Sequence, residues 1–188
     1  MKNLIFTLTA ILFTLNSCVS FDRKMIKNDL SIISENNISS IDGKYRVKGY
    51  EHINPARIKS EEIVGFPEMF RLQNLEIDDC DVLEIRSQQL NKEQNELQFT
   101  LLKNDSIKYT FKYKVGIKDG LLVVDNFNSK CHGIPYLLGG CQTFQSRIGL
   151  TADNNLLVQN YFDNSGAFLF FMWAGCTINY AEKFERIN

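Results

Sequence analysis

Ile107-Lys108-Tyr109-Thr110-Phe111-Lys112-Tyr113-Lys114-Val115 alternates without a break between apolar and polar residues. A period of two puts Ile107, Tyr109, Phe111, Tyr113 and Val115 on one face and the lysines and Thr110 on the other. That is the pattern of a half-buried antiparallel strand. Just upstream, Leu97, Phe99 and Leu101 alternate with Gln98 and Thr100, and Asn104-Asp105 between the two runs is a two-residue hairpin signal. The plan repeats along the chain. Strands are expected over 44–51, 75–86, 94–103, 106–116, 121–127, 142–150, 156–162, 167–174 and 177–186. Asp119-Gly120, Asp153-Asn154 and Asn164-Ser165-Gly166 supply turns. Only 53–74 and 128–140 are long enough to be crossing connections. Ser60-Glu61-Glu62-Ile63 could cap a helical turn there, stopped by Gly65 and Pro67. Sequential hairpins that must avoid open edges predict an all-β fold, an antiparallel up-and-down β-barrel of about eight strands. A two-sheet sandwich is the alternative.

The composition is that of an ordinary globular domain: 188 residues, 44% hydrophobic and 23% charged, with 14 Phe and 7 Tyr against 3 Pro. Net charge is −1, and removal of residues 1–17, whose one charged side chain is Lys2, leaves −2. A chain so balanced has no field to gather nucleic acid, and Lys108, Lys112 and Lys114 read as a solvated strand face.

Lys2 followed by the apolar run 4–15 has the form of an export signal, too short to span a bilayer. It ends in Leu15-Asn16-Ser17-Cys18, which resembles the lipobox of bacterial lipoproteins. The resemblance implies cleavage before Cys18, a diacylglyceryl group on its sulfur and an acyl chain, such as palmitate, on its new amine. The domain would then be held on a membrane of the cell envelope, facing the periplasm or the exterior. An ordinary signal peptide with an incidental cysteine is the other reading. Residues 1–17 are thus the signal peptide and 18–40 the tether, in which Ile26, Leu30 and Ile33 at helical spacing allow either a short helix or a flexible segment. Residues 41–188 form the barrel domain.

Gly43-Lys44-Tyr45 at the start of the first strand, a meander, and Arg186 near the end together resemble a lipocalin. That family opens on Gly-x-Trp and packs an Arg over the Trp; here Tyr45 stands in the aromatic position. The resemblance implies a closed barrel with a binding cavity and a Tyr45–Arg186 contact that closes its base.

Residues 167–174, Ala-Phe-Leu-Phe-Phe-Met-Trp-Ala, are apolar on both faces. Phe168, Phe170, Met172 and Trp173 are candidates to line a cavity for a small apolar or lipid-like ligand, with Tyr136 and Leu137 at its mouth. A strand packed on both sides is the alternative. The loop 133–140 reads as a lid or as a packed Ω-like loop. After Cys18, four cysteines remain; in an exported chain Cys131–Cys141 and Cys80–Cys176 are the expected disulfides. A zinc site on Cys131, His132 and Cys141 is a sharper alternative that lacks a fourth ligand. The acidic run Glu76, Asp78, Asp79, Asp81 and Glu84 has no calcium-loop frame.

No catalytic motif is present: no GxSxG, HExxH, Walker loop or GxGxxG, and His52 and His132 stand in no recognisable frame. The sequence therefore predicts a non-enzymatic, cofactor-free, membrane-anchored binding protein for a small apolar ligand. The alternatives are an envelope protein–protein interaction factor without a cavity and, third, a hydrolase with an unrecognised carboxylate pair.

Overall fold

The computed structural model describes residues 21–54, 59–60, 63–72, 77, 79–91, 94–134, 138–168 and 172–187, with backbone alone at 59–60, 134, 138, 167–168 and 172–173. The fold is all-β and antiparallel. Its strands are β1 (Gly43–Arg46), β2 (Glu51–Ile53), β3 (Lys59–Ser60), β4 (Val82–Asn91), β5 (Gln94–Lys103), β6 (Ser106–Lys118), β7 (Leu121–Val124), β8 (Asn128–Ile134), β9 (Leu138–Leu150), β10 (Leu156–Phe168), β11 (Met172–Phe184) and β12 (Arg186–Ile187). They form one sheet in the order β12-β1-β4-β5-β6-β7-β9-β10-β11-β2-β3, with β8 paired to β9. The tight hairpins follow their turn chemistry. Asn104 and Asp105 take φ of 49° and 60°, and Asp119 and Gly120 take 59° and 80°, the left-handed pairs that match the twist of the flanking strands.

The sheet is not closed into a barrel. Its order ends at β12 on one side and at β3 on the other. Both ends lie along one seam, because β1 leads into β2 and β11 into β12. The seam is interrupted because residues 47–49 bond elsewhere: Val47 N–H donates to Asp81 O, Phe66 N–H to Val47 O and Gly49 N–H to Val64 O. What remains across it is Lys44 and Tyr45 paired with Ile187 and Arg186, and Glu51–Ile53 paired with 181–183. Two backbone bonds lie between, from Arg46 N–H to Glu185 O and from Tyr50 N–H to Lys183 O.

Other expectations are also corrected. Asn164-Ser165-Gly166 makes no turn, because each residue is paired on both sides, with 140–142 and with 174–176. Residues 167–174 are therefore not one strand. Phe168 ends β10 and Met172 opens β11, the two being register partners. Within the supposed loop 128–140, residues 128–134 are β8 and pair with β9 from Leu138 onward, Ser60 lies in β3 rather than capping a helix, and β4 begins only at Val82.

A short helix, α1 (Phe66–Met69), fills the inside of the sheet. Pro67 sits in its first turn, where the missing N–H breaks no helical bond. Phe66 stacks on Phe70 at 4.5 Å and reaches Phe99 and Phe184 at 5.7 and 5.8 Å, while Phe99 stacks on Phe111 at 5.0 Å. Tyr45, Phe66, Met69, Phe99 and Phe184 are fully buried. The apolar face of β6 outruns this core: Val115 is buried, but Ile107 and Tyr109 are 68% and 38% exposed.

The N-terminal segment is three 3₁₀ turns, η1 (Arg23–Met25), η2 (Lys27–Asp29) and η3 (Glu35–Ile41), rather than an α-helix. Its first two turns pack on the outer face, where Met25 and Ile26 join Ile53, Leu121, Leu157 and Ala181 in a second apolar cluster, whereas Ile33 and Ile41 belong to the main core.

Candidate interaction surface

Beyond Phe144 and Phe162 the sheet continues as a four-stranded extension. Strands β8 to β11 stay in register from Asn128, Phe144, Phe162 and Ile178 out to Ile134, Leu138, Phe168 and Met172. At its base Arg71 lies over Phe144 and Phe162, 4.1 and 4.7 Å from their ring centres. Further out, residues 128–133 and 174–178 are exposed. The strands approach too closely for side chains at some positions. A Cβ on Gly140 would lie 2.8 Å from Ser165 O, and one on Gly175 would lie 2.6 Å from Ser165 Cα. Asp163, one of the few charges here, accepts from Ser165 Oγ at 2.9 Å and Thr177 Oγ1 at 2.8 Å.

Cys131 and Cys141 face each other across β8 and β9 and are joined by a disulfide. Cys80 and Cys176 are not joined. Cys80 is buried beside Ile77 in the core, whereas Cys176 is exposed on β11 in the extension. The bridge also takes both thiolates from the zinc alternative with His132. Among the described residues no three His, Cys, Asp or Glu side chains gather as metal ligands.

The candidate ligand-lining residues separate into two groups. Phe168 ends β10, and Met172 and Trp173 open β11, so their backbones sit at the far end of the extension rather than on a wall of the interior. Phe170, Tyr136, Leu137 and Cys18 lie outside the described residues. The interior is lined instead by Tyr45, Phe66, Phe99 and Phe184.

Gly43, Tyr45 and Arg186 form one contact. Arg186 Nη2 donates to Tyr45 Oη and to Ser40 O, each at 2.6 Å, and Tyr45 Oη donates to Ile41 O at 2.7 Å. A Cβ on Gly43 would come within 3.3 Å of Arg186 Cζ.

Two buried polar groups carry no motif. Glu182 Oε2 is 2.8 Å from His52 Nδ1, and its Oε1 has no hydrogen-bond partner. Burial pushes this carboxyl up to about 8, with the Val64 N–H working against the shift and Glu51 adding to it. The group is fully enclosed, since a Cβ on Gly49 would lie 2.3 Å from Glu182 Oε1, so no substrate reaches it. Arg147 donates from Nε to Gln159 Oε1 at 2.7 Å and lies beneath the Phe21 ring. Its Nη2 is unpartnered, and burial lowers the guanidinium to about 10. Glu182 breaks the apolar parity of Tyr180 and Phe184, a signal legible in the sequence; its partner His52 is 130 residues away. A cleft of about 260 Å³ beside the N-terminal turns holds Lys183 between Asp29 and Glu51, which pair with its ammonium.

Comparison with known protein families, curated proteins and solved structures found no match.

Proposed function

We propose that the chain is a membrane-anchored, non-enzymatic lipoprotein of the bacterial cell envelope that works through the β8–β11 extension rather than through an internal ligand cavity. The observation that carries this is a contrast. The space a carrier would keep open is occupied by α1 and its packed aromatic rings, while residues 128–133 and 174–178 of the extension are exposed beyond the core. The anchor rests on Leu15–Cys18, and the Cys131–Cys141 bridge is in keeping with an oxidising, exported compartment. The finer fold reading is an up-and-down, lipocalin-like wrap left open along one seam. In its support, both ends of the sheet order fall on that seam, and Arg186 lies over Tyr45.

The test is native mass spectrometry of the chain purified from membranes. A bare protein mass, apart from a diacylglyceryl and acyl increment on the peptide that begins at Cys18, is the expected result. A co-purifying adduct of several hundred daltons that organic solvent releases would instead favour the carrier, with α1 displaced by ligand.

A further inference from the structure

We propose that the far end of the β8–β11 extension lies in the surface of the bilayer that holds Cys18, giving the domain a second grip on its membrane. This rests on the lipoprotein reading for the anchor, and on register, composition and chain reach for the tip.

The outermost cross-strand row is Ile134, Leu138, Phe168 and Met172, and the next includes Ala167 and Trp173. No Asp, Glu, Lys or Arg occurs in 131–141 or in 164–176. The last four rows are therefore free of formal charge over roughly 13 Å, at about 3.3 Å per residue. Aliphatic residues with Trp and Phe are the composition of a membrane interface. Four rows fit interfacial burial of about 5–10 Å and fall short of the roughly nine to eleven residues per strand needed to span. The pairing sets the same limit. Among the described residues β8 pairs only with β9, and 172–180 pair only with β10. Such edges are tolerated among headgroups and not in hydrocarbon.

The course of the N-terminal segment selects a bilayer over another protein. Traced backwards from Asp29, which pairs with Lys183, the chain runs over the outer face of β10 and β11. Asp22 O accepts from Gln159 Nε2, Asp22 N–H donates to Asn179 Oδ1, and the Phe21 ring meets Tyr161 edge-on. The direction is towards the extension. Cys18 lies three residues before Phe21, at most about 10 Å away. Tyr161 and Asn179 are register partners, seven residues short of Phe168 and Met172, or about 23 Å. An acyl group on Cys18 thus brings the membrane to the base of a longer arm whose last four rows carry no formal charge.

Trp173 is the only tryptophan, so intrinsic fluorescence reports on this end alone. The full lipoprotein would be reconstituted in phosphatidylethanolamine–phosphatidylglycerol vesicles with and without brominated acyl chains. The expected result is blue-shifted emission that brominated lipid largely abolishes and aqueous iodide leaves untouched. Phe168→Asp combined with Met172→Asp should reverse both effects. Emission quenched by iodide and indifferent to brominated lipid would overturn the proposal. Protection from both quenchers would also overturn it, in favour of a protein interface. The mass of the Cys18 peptide from the same sample tests the anchor separately, because Trp173 reports insertion with or without the acyl group.

Discussion

The guanidinium of Arg186 lies 5.1 Å from the centre of the Tyr45 ring and donates to that ring's hydroxyl at 2.6 Å. The two residues are also backbone partners in β1 and β12. Through its other donors, to Ser40 O and Asn154 O, Arg186 ties η3 and the 151–155 turn to the seam of the sheet. Arg186→Ala removes all of these bonds and should cost about 2–3 kcal/mol. Arg186→Lys should recover little, because one ammonium cannot reproduce the fork. Tyr45→Phe keeps the ring and strands the Ile41 carbonyl, at about 1–2 kcal/mol. Urea unfolding of the three variants checks the ranking.

Glu182 predicts a pH dependence. Its carboxyl, at about 8 in the fold, binds a proton more tightly than the unfolded chain's glutamate at 4.5. The stability associated with it is complete below about pH 4.5 and is lost as pH rises through about 8, by a few kcal/mol at most. Glu182→Gln keeps a hydrogen-bonding group beside His52 and should flatten this part of the profile. Urea midpoints between about pH 5 and pH 8, wild type against variant, would show it. Parallel slopes would count against the assignment.

The Cys131–Cys141 bridge closes a separation of 10 residues in the extension, away from the aromatic core. Its loop-closure contribution, roughly 2–3 kcal/mol, should act on local opening of β8 and β9 rather than on global unfolding. Reduction, or Cys131→Ser with Cys141→Ser, should speed proteolysis and hydrogen exchange across 128–145 and shift the global midpoint little. A loss of global stability of the full amount would mean that the extension and core unfold as one unit.

Phe66 tests the filled interior. Phe66→Ala removes the ring that stacks on Phe70 and packs against Phe99 and Phe184, and should cost about 3–5 kcal/mol. The vacated space, apolar and enclosed, should take up xenon or benzene, as wild type should not. Uptake by wild type would revive the carrier.

The four hairpin residues Asn104, Asp105, Asp119 and Gly120, and the alternation through 107–115, were legible because they depend on neighbours in sequence. Side-chain direction repeats every two residues, and left-handed φ falls to Asn, Asp and Gly. Asn164-Ser165-Gly166 carries the same turn chemistry and is nonetheless strand, because ladders on both sides supply backbone bonds that an isolated segment lacks. The misplaced turn moved Phe168, Met172 and Trp173 from a supposed cavity wall to the end of the extension. Residues 128–133 passed for a loop because their small, polar and glycine-containing sequence has no buried face to impose alternation.

By itself, then, the sequence determined the β class, the hairpin order of the central strands and the resemblance at Leu15–Cys18, all functions of local pattern. The tertiary structure alone decided three further things: the open seam, the aromatic cluster that α1 builds inside the sheet, and the Glu182–His52 contact. Each joins residues far apart in the chain. Their outcome depends on which backbone groups and rings meet once the sheet has curled, and no pattern of period two carries that information.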